Sequence, residues 1–272
     1  MELNIKKHDI KLGSDPEIFI EKDGEIVSAV GMIPGTKRRP HPITDKGHFI
    51  QTDNIAFEFN IPACETAEEY VENINFVKEH LEVLANANGC KLSKVVSEEI
   101  NPIHLQTSQA KEFGCEPDLN VYLQDLNPKP DSNTNLRCVG GHVHIGYPNP
   151  DFEVSERIVK MFDIMVTLPS LLIDNDDRRR ELYGKPGSFR QKDFGVECRA
   201  LSNFWIHSNE LIAWVFNQTI KAVEIVLDNQ DEAYINKFSE EVREAIETNN
   251  REHAKTLIES ISKMSQTKLE FA

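Results

Sequence analysis

No Gly-x-x-x-x-Gly-Lys-Ser/Thr loop and no Gly-x-Gly-x-x-Gly turn occurs in the 272 residues, so neither a P-loop nor a Rossmann-type cradle is supported. A Gly-x-Ser-x-Gly elbow is also missing, which removes the usual mark of a serine hydrolase. The five cysteines (Cys64, Cys90, Cys115, Cys138 and Cys198) are odd in number, widely spaced and form no Cys-x-x-Cys pair. That excludes a disulfide framework or a zinc knuckle and fits a reducing, cytoplasmic setting. The N-terminal segment lacks the apolar run of a signal peptide, and the longest apolar stretch, Ile158 to Ile173, is interrupted by Lys160, Asp163 and Pro169. Cations are scarce: 30 Lys and Arg face 45 Asp and Glu, for a net charge of -15. Nucleic-acid and membrane partners both require a cationic surface, so neither is expected. Two basic runs stand out from this background, Lys37 to Arg39 and Arg178 to Arg180, and a small anion such as a nucleotide triphosphate is one reason to keep them.

The chain also contains enough apolar residues, 39%, for a sizeable core. Its N-terminal third reads as short strands and turns: Gly13 to Ile20, a hairpin at Lys22-Asp23-Gly24, and a returning strand from Glu25 to Val30. Thr66 and Glu69 have capping-box spacing, and Val71, Ile74, Val77, Leu81 and Leu84 continue as a helix up to Gly89. A polar, proline-bearing excursion from Asn101 to Arg137 includes a candidate lid, Phe113 to Tyr122. Helices are expected from Ser155 to Ile173, Ser208 to Leu227, Asp231 to Thr248 and Asn250 to Ser262, with a loop from Gly184 to Arg190. With strands early and helices late, the expectation is one α+β domain over 1–272, its strands mostly antiparallel and its 208–272 region helical.

Four segments place charged side chains on alternate residues, and alternation along a strand puts them on one face. GGHVHIG carries His142 and His144, with Val143 and Ile145 behind them; FGVECRAL carries Glu197 and Arg199, with Cys198 behind. GSDPEIFI offers Asp15 and Glu17, and DNIAFEFNI offers Asn54, Glu58 and Asn60. Taken singly, each pattern has a structural explanation, such as a polar outer face or a cross-strand ion pair. Together, in one sheet packed through its apolar face, they would crowd carboxylates that need cations. Carboxylate oxygens with one or two imidazoles suit Mg²⁺ or Mn²⁺, and arginines around such ions are equipment for phosphoryl transfer. A two-metal hydrolase uses similar residues and stays open at this point.

The order of these motifs, with GTK, EFNIP, FGCEPD and RRRELYGKPGSFR between Gly13 and Trp205, resembles the catalytic sheet of the glutamine synthetase and glutamate-cysteine ligase superfamily. Within it the chain is most similar to the small phage-type carboxylate-amine ligases. The resemblance implies a glutamine synthetase-like domain, with a curved antiparallel sheet bearing the site on one face and helices on the other. It implies an ATP-dependent, ADP-forming ligase that activates a carboxylate as an acyl phosphate for attack by an amine. Asp15, Glu17, Glu58, His142 and Glu197 would then be metal ligands. Lys37, His144, Arg179, Arg180 and Arg199 would contact nucleotide, with Glu58, Arg190 and Arg199 at the chemistry. Asp-Pro-Glu replaces the family's Glu-x-Glu at the first ligand pair, shortening Asp15 by a methylene. The partners implied are small-molecule or peptide carboxylates and amines. The chain lacks the small N-terminal domain of glutamine synthetase, so the ring-shaped oligomer is not expected and a homodimer is left open. By the same resemblance the protein is phage-encoded and acts in the host cytoplasm. A guanidino-kinase-like phosphotransferase and a catalytically silent nucleotide- or metal-binding module are the alternatives.

Overall fold

A computed structural model of the chain describes residues 9–111, 118–130 and 134–265. Its strands in the first hundred residues are β1 (Lys11–Ser14), β2 (Glu17–Ile18), β3 (Ile20–Lys22), β4 (Glu25–Val27), β5 (His41–Pro42), β6 (Phe49–Asp53), β7 (Ala56–Asn60), β8 (Lys91–Leu92) and β9 (Ser97–Glu99). Those that follow are β10 (Leu119–Asn120), β11 (Asp125–Leu126), β12 (Leu136–Cys138), β13 (Val143–Gly146), β14 (Ser188–Lys192) and β15 (Gly195–Cys198). They form a six-stranded sheet in the order β1-β13-β15-β14-β10-β11, a four-stranded sheet β2-β7-β6-β5, a three-stranded sheet β4-β3-β8 and the pair β12-β9. Pairing between these strands is antiparallel. The α+β class holds, but the expected single sheet is divided. Nor are the strands all early, since β1 pairs with β13 from the middle of the chain.

The division starts at Pro16. Proline has no N–H and a fixed φ, so the run from Gly13 to Ile20 cannot continue as one strand. Its first part joins the six-stranded sheet and Glu17–Ile18 joins the four-stranded one. The Asp23-Gly24 hairpin forms as expected, both residues having positive φ (53° and 85°), although its returning strand ends at Val27. Asn54 is a correction: it lies at the β6–β7 turn with φ 51°, not within a strand. Another correction concerns the Gly184 to Arg190 loop, whose last three residues belong to β14.

The helices are α1 (Ala67–Ala87), α2 (Ser108–Lys111), α3 (Phe152–Phe162), α4 (Leu168–Ser170), α5 (Arg179–Leu182), α6 (Asn209–Leu227), α7 (Asp231–Glu247) and α8 (Arg251–Ser265). Thr66 caps α1 by accepting from Glu69 N, while the Glu69 carboxylate accepts from Glu65 N instead of closing the box on Thr66. The helix expected from Ser155 to Ile173 starts at Phe152, capped by Asp151, and contains a π-helical turn, Asp163–Thr167, just before Pro169. The proline ring crowds the carbonyl four residues back, and a wider turn relieves that crowding. The late helices match expectation to within three residues. Leu12, Val143, Ile145, Val196 and Cys198 from the six-stranded sheet share one continuous core with α1, α3 and α6, in which the Tyr70 and Trp205 rings stack at 5.8 Å. No helix among the described residues is long and apolar enough to cross a membrane.

Candidate active site

The charged face is assembled by strand register. His144 pairs across β13–β15 with Glu197, and Arg190 pairs with Glu197 from the other side, so one carboxylate lies between an imidazole and a guanidinium. Gly13 is opposite His144, which brings the next turn, with Asp15, over the same spot. On the neighbouring sheet Glu17 is opposite Glu58, and Glu58 is opposite Gln51, whose amide donates to Glu58 Oε2 at 2.7 Å. The sheets are tied together at Gly140: its N–H donates to Glu17 Oε2 at 2.7 Å and its carbonyl accepts from Glu17 N at 2.9 Å. A Cβ at Gly140 would lie 2.5 Å from His142 Nε2, so glycine is needed for this close approach.

Asp15 Oδ1 lies 3.1 Å from His142 Nδ1 and 3.2 Å from His144 Nε2. Asp15, His144 and Glu197 each offer one ligand atom, and these atoms lie within 4.8 Å of one another. Carboxylate oxygens plus an imidazole form a donor set for a hard divalent cation. The two carboxylates are in the ionised form that a cation needs, and the His144 proton is the one a cation has to displace. Burial favours a neutral Asp15, but His144 and His142 outweigh it and hold the acid well below its usual range. Burial and Asp15 oppose ionisation of Glu197, yet Arg199 and the two imidazoles hold it at about 2. Burial also opposes a charge on His144, and Asp15 overrides it, drawing that pKa up. On the other sheet, burial raises Glu17. Glu58 is pushed well above the carboxylate range by burial and by Asp15, Asp53 and Glu17.

Thus His144, expected at the nucleotide, lies with Asp15 and Glu197 in a group that could hold a cation. Glu17 and Glu58 border that group from the second sheet. Arg199 contacts Glu197, has Nη1 3.2 Å from His142 Nδ1, and has Nε 2.7 Å from Asp118 Oδ1. Arg190 reaches Asp118 at 3.3 Å and Glu197 at 3.8 Å, while Lys192 Nζ is 2.6 Å from Glu197 Oε2. Arg179 is buried and donates to the carbonyls of Val139, Ala200 and Arg199. Arg180 is directed away, to Asn249. Lys37 pairs with Asp53 at 2.9 Å. Sequence reasoning missed Asp118, Asp53 and Lys192. Lys192 shares the alternation of Arg190 and would have been found had β14 been read as a strand. Asp118 lies within the FGCEPD motif, but residues 113–117 of the candidate lid are outside the described residues.

A recess opens beside this network. Glu17, Asp53, Asp118, His142, Arg179 and Arg199 form its polar side, and Phe19, Ile55, Leu182 and Tyr183 its apolar side. Charged groups that can hold a cation and an anion thus border an apolar recess, the arrangement of a substrate site.

Residues 132–271 match the family model described as phage phiEco32-like COOH.NH2 ligase-type 2. Among solved structures, a bifunctional glutathione synthetase from Pasteurella multocida is similar at 11% identity and a TM-score of 0.47, over 97% of this chain and 50% of that one. The chain therefore spans about half the length of that structure. GmaS without ligand is similar at 13% identity and a TM-score of 0.46, over 95% of this chain and 70% of that one. Likeness at this level does not extend to chemistry. Comparison with curated proteins finds no match.

Proposed function

Because this chain belongs to the phage phiEco32-like COOH.NH2 ligase-type 2 family, we propose that it condenses a carboxylate with an amine in an ATP-dependent, ADP-forming reaction. In this proposal the fold is a glutamine synthetase-like catalytic domain and 1–272 act as one catalytic unit. The observation that carries this reading is the meeting, around Glu197, of a cation-holding group with three basic side chains, those of Arg190, Lys192 and Arg199. Such a pairing serves phosphoryl transfer, where the protein contributes position and charge.

Asp15, His144 and Glu197 would hold a divalent ion, Mg²⁺ or Mn²⁺, with His142 buttressing Asp15 and with Glu17 and Glu58 flanking it on the second sheet. That ion, when bound, neutralises phosphate charge. Arg199, fixed by Asp118 and Glu197, presents its guanidinium to the phosphoryl group moving onto the substrate carboxylate. Arg190 and Lys192 border the same position. The γ-phosphorus–oxygen bond to ADP breaks as a bond to the carboxylate oxygen forms, giving an acyl phosphate. The amine then attacks the carbonyl carbon, phosphate leaves, and the amine proton is lost. Phe19, Ile55, Leu182 and Tyr183 supply a dry wall that protects the acyl phosphate from water.

The test is to incubate the protein with ATP, Mg²⁺ and pools of amino acids and peptides, following ADP, phosphate and products equal in mass to two reactants less one water. Condensation products formed with stoichiometric ADP and phosphate support the reading. ADP with a stable phosphorylated product would identify a kinase, and no ATP turnover in any pool would identify a silent module.

A further inference from the structure

Two runs of three consecutive cations occur in a chain of net charge -15, and the fold treats them differently. Arg179 and Arg180 are buried and Arg178 pairs with Glu99 at 3.0 Å. Arg38 and Arg39 are exposed, and neither has a carboxylate within ion-pair distance among the described residues. Their turn is nonetheless tightly held. Thr36 N donates to Arg39 O at 3.0 Å and Arg39 N returns to Thr36 O at 2.8 Å. Lys37 clamps the turn to Asp53 at 2.9 Å, and Thr52 N reaches Gly35 O at 3.4 Å. Gly35 has φ +92°, and a Cβ there would be 2.3 Å from Ile50 O, so the approach of the turn to β6 requires glycine. A rigid turn with two unneutralised guanidiniums costs self-repulsion unless an anion shares it.

Lys37 ties the turn to Asp53, and Asp53 to Ala56 of the β6–β7 hairpin form part of the cavity lining, so the turn adjoins that border of the cavity. This border belongs to the four-stranded sheet. Arg190, Lys192 and Arg199 belong to the six-stranded sheet, with the acids of the site between the two borders. The borders therefore address different anions. Consecutive side chains of a turn diverge, which suits charges spaced along an extended chain better than one triphosphate, which needs converging donors. A partner rich in carboxylates is repelled by the protein as a whole, so it needs a local cationic entry.

Resting on the ligase reading above, we propose that the Thr36–Arg39 turn is a docking rim for an acidic peptide segment. The carboxylate activated in the cavity then belongs to a peptide or protein chain. The rim takes part in recognition and leaves the chemistry to the interior.

Fluorescence anisotropy of fluorescein-labelled hexaglutamate with the full chain tests this, beside calorimetry of ADP with Mg²⁺. Wild-type protein should bind the peptide, less tightly as salt rises. The double variant Arg38→Glu/Arg39→Glu, both positions being exposed, should keep its melting temperature and its ADP affinity while losing peptide affinity by about tenfold or more. Absence of peptide binding by wild type, or equal binding by the variant, overturns the proposal. So does a parallel loss of ADP affinity, which would assign the turn to nucleotide. A protein that binds hexaglutamate through the rim yet forms no amide with any pool would sink the ligase reading and leave the rim standing.

Discussion

Glu197 and Glu58 are the same residue type, both buried, in strands of adjoining sheets, and they carry opposite tendencies. Glu197 is held at about 2 because, against burial and Asp15, Arg199 and two imidazoles surround it. Glu58 is raised well above the carboxylate range because burial is joined by Asp15, Asp53 and Glu17, with only the Gln51 amide in opposition. One wall of the site thus carries its own countercharge and the other waits for one. The asymmetry sets the basic side chains that could meet an anion on the Glu197 wall.

Breaking the self-neutralised wall should have the largest effect. Glu197→Gln removes the shared partner of Arg199 and Lys192, and turnover in the ATP assay should fall on the order of 10³-fold. Wild-type turnover would return this cluster to a structural ion pair. Arg199→Lys comes next, with a loss on the order of 10² in kcat, since a point charge replaces a planar fork fixed at Asp118. Asp118→Asn leaves the fork but weakens its anchor, and about a tenfold loss is expected, with wild-type affinity for ADP in calorimetry.

The other wall is read through stability. Glu58 has a raised folded pKa, so its contribution is complete below the ordinary value of 4.5 and is lost as pH rises through the raised value. Glu58→Gln should therefore raise the melting temperature at pH 8 in EDTA by about 2–4 °C, with little change at pH 4. Saturating Mg²⁺ should reverse the advantage, because the wild-type carboxylate then gains a partner. A gain that persists unchanged in Mg²⁺ would detach Glu58 from the cation site. The smallest effect is expected away from the cleft, at Asp163, whose carboxyl accepts from Gly187 N at 2.6 Å and is raised by burial to about 7. Its stabilising contribution is lost as pH rises through about 7, so Asp163→Asn should flatten the fall in melting temperature between pH 6 and 8. An identical slope in the variant would remove Asp163 from that titration.

Much of the self-neutralised wall was legible in the sequence. His142, His144, Glu197 and Arg199 follow the period of two that a strand imposes, and Cys198, read as facing the core, is 1% exposed. The second wall was half legible. Glu58 was found, but Pro16 was not recognised as the point where one apparent strand steps between two sheets, nor Asn54 as a turn. Asp118 has no periodic signal: it precedes a two-residue strand, and its partners Arg190 and Arg199 are more than seventy residues away in sequence. The π turn at Asp163 was hidden for a related reason, since apolar periodicity does not distinguish i−4 from i−5 bonding over a single turn. Arg180 belongs to the same sequence run as Arg179, and its guanidinium donates to Asn249.

The most direct test of the central claim is a hydroxylamine trap. With ATP, Mg²⁺ and a carboxylate or acidic-peptide pool but no amine, the account predicts a hydroxamate formed in step with ADP and phosphate, and none when ATP is left out. Release of AMP and pyrophosphate, or ADP formation with every carboxylate recovered unmodified in the presence of hydroxylamine, would contradict it.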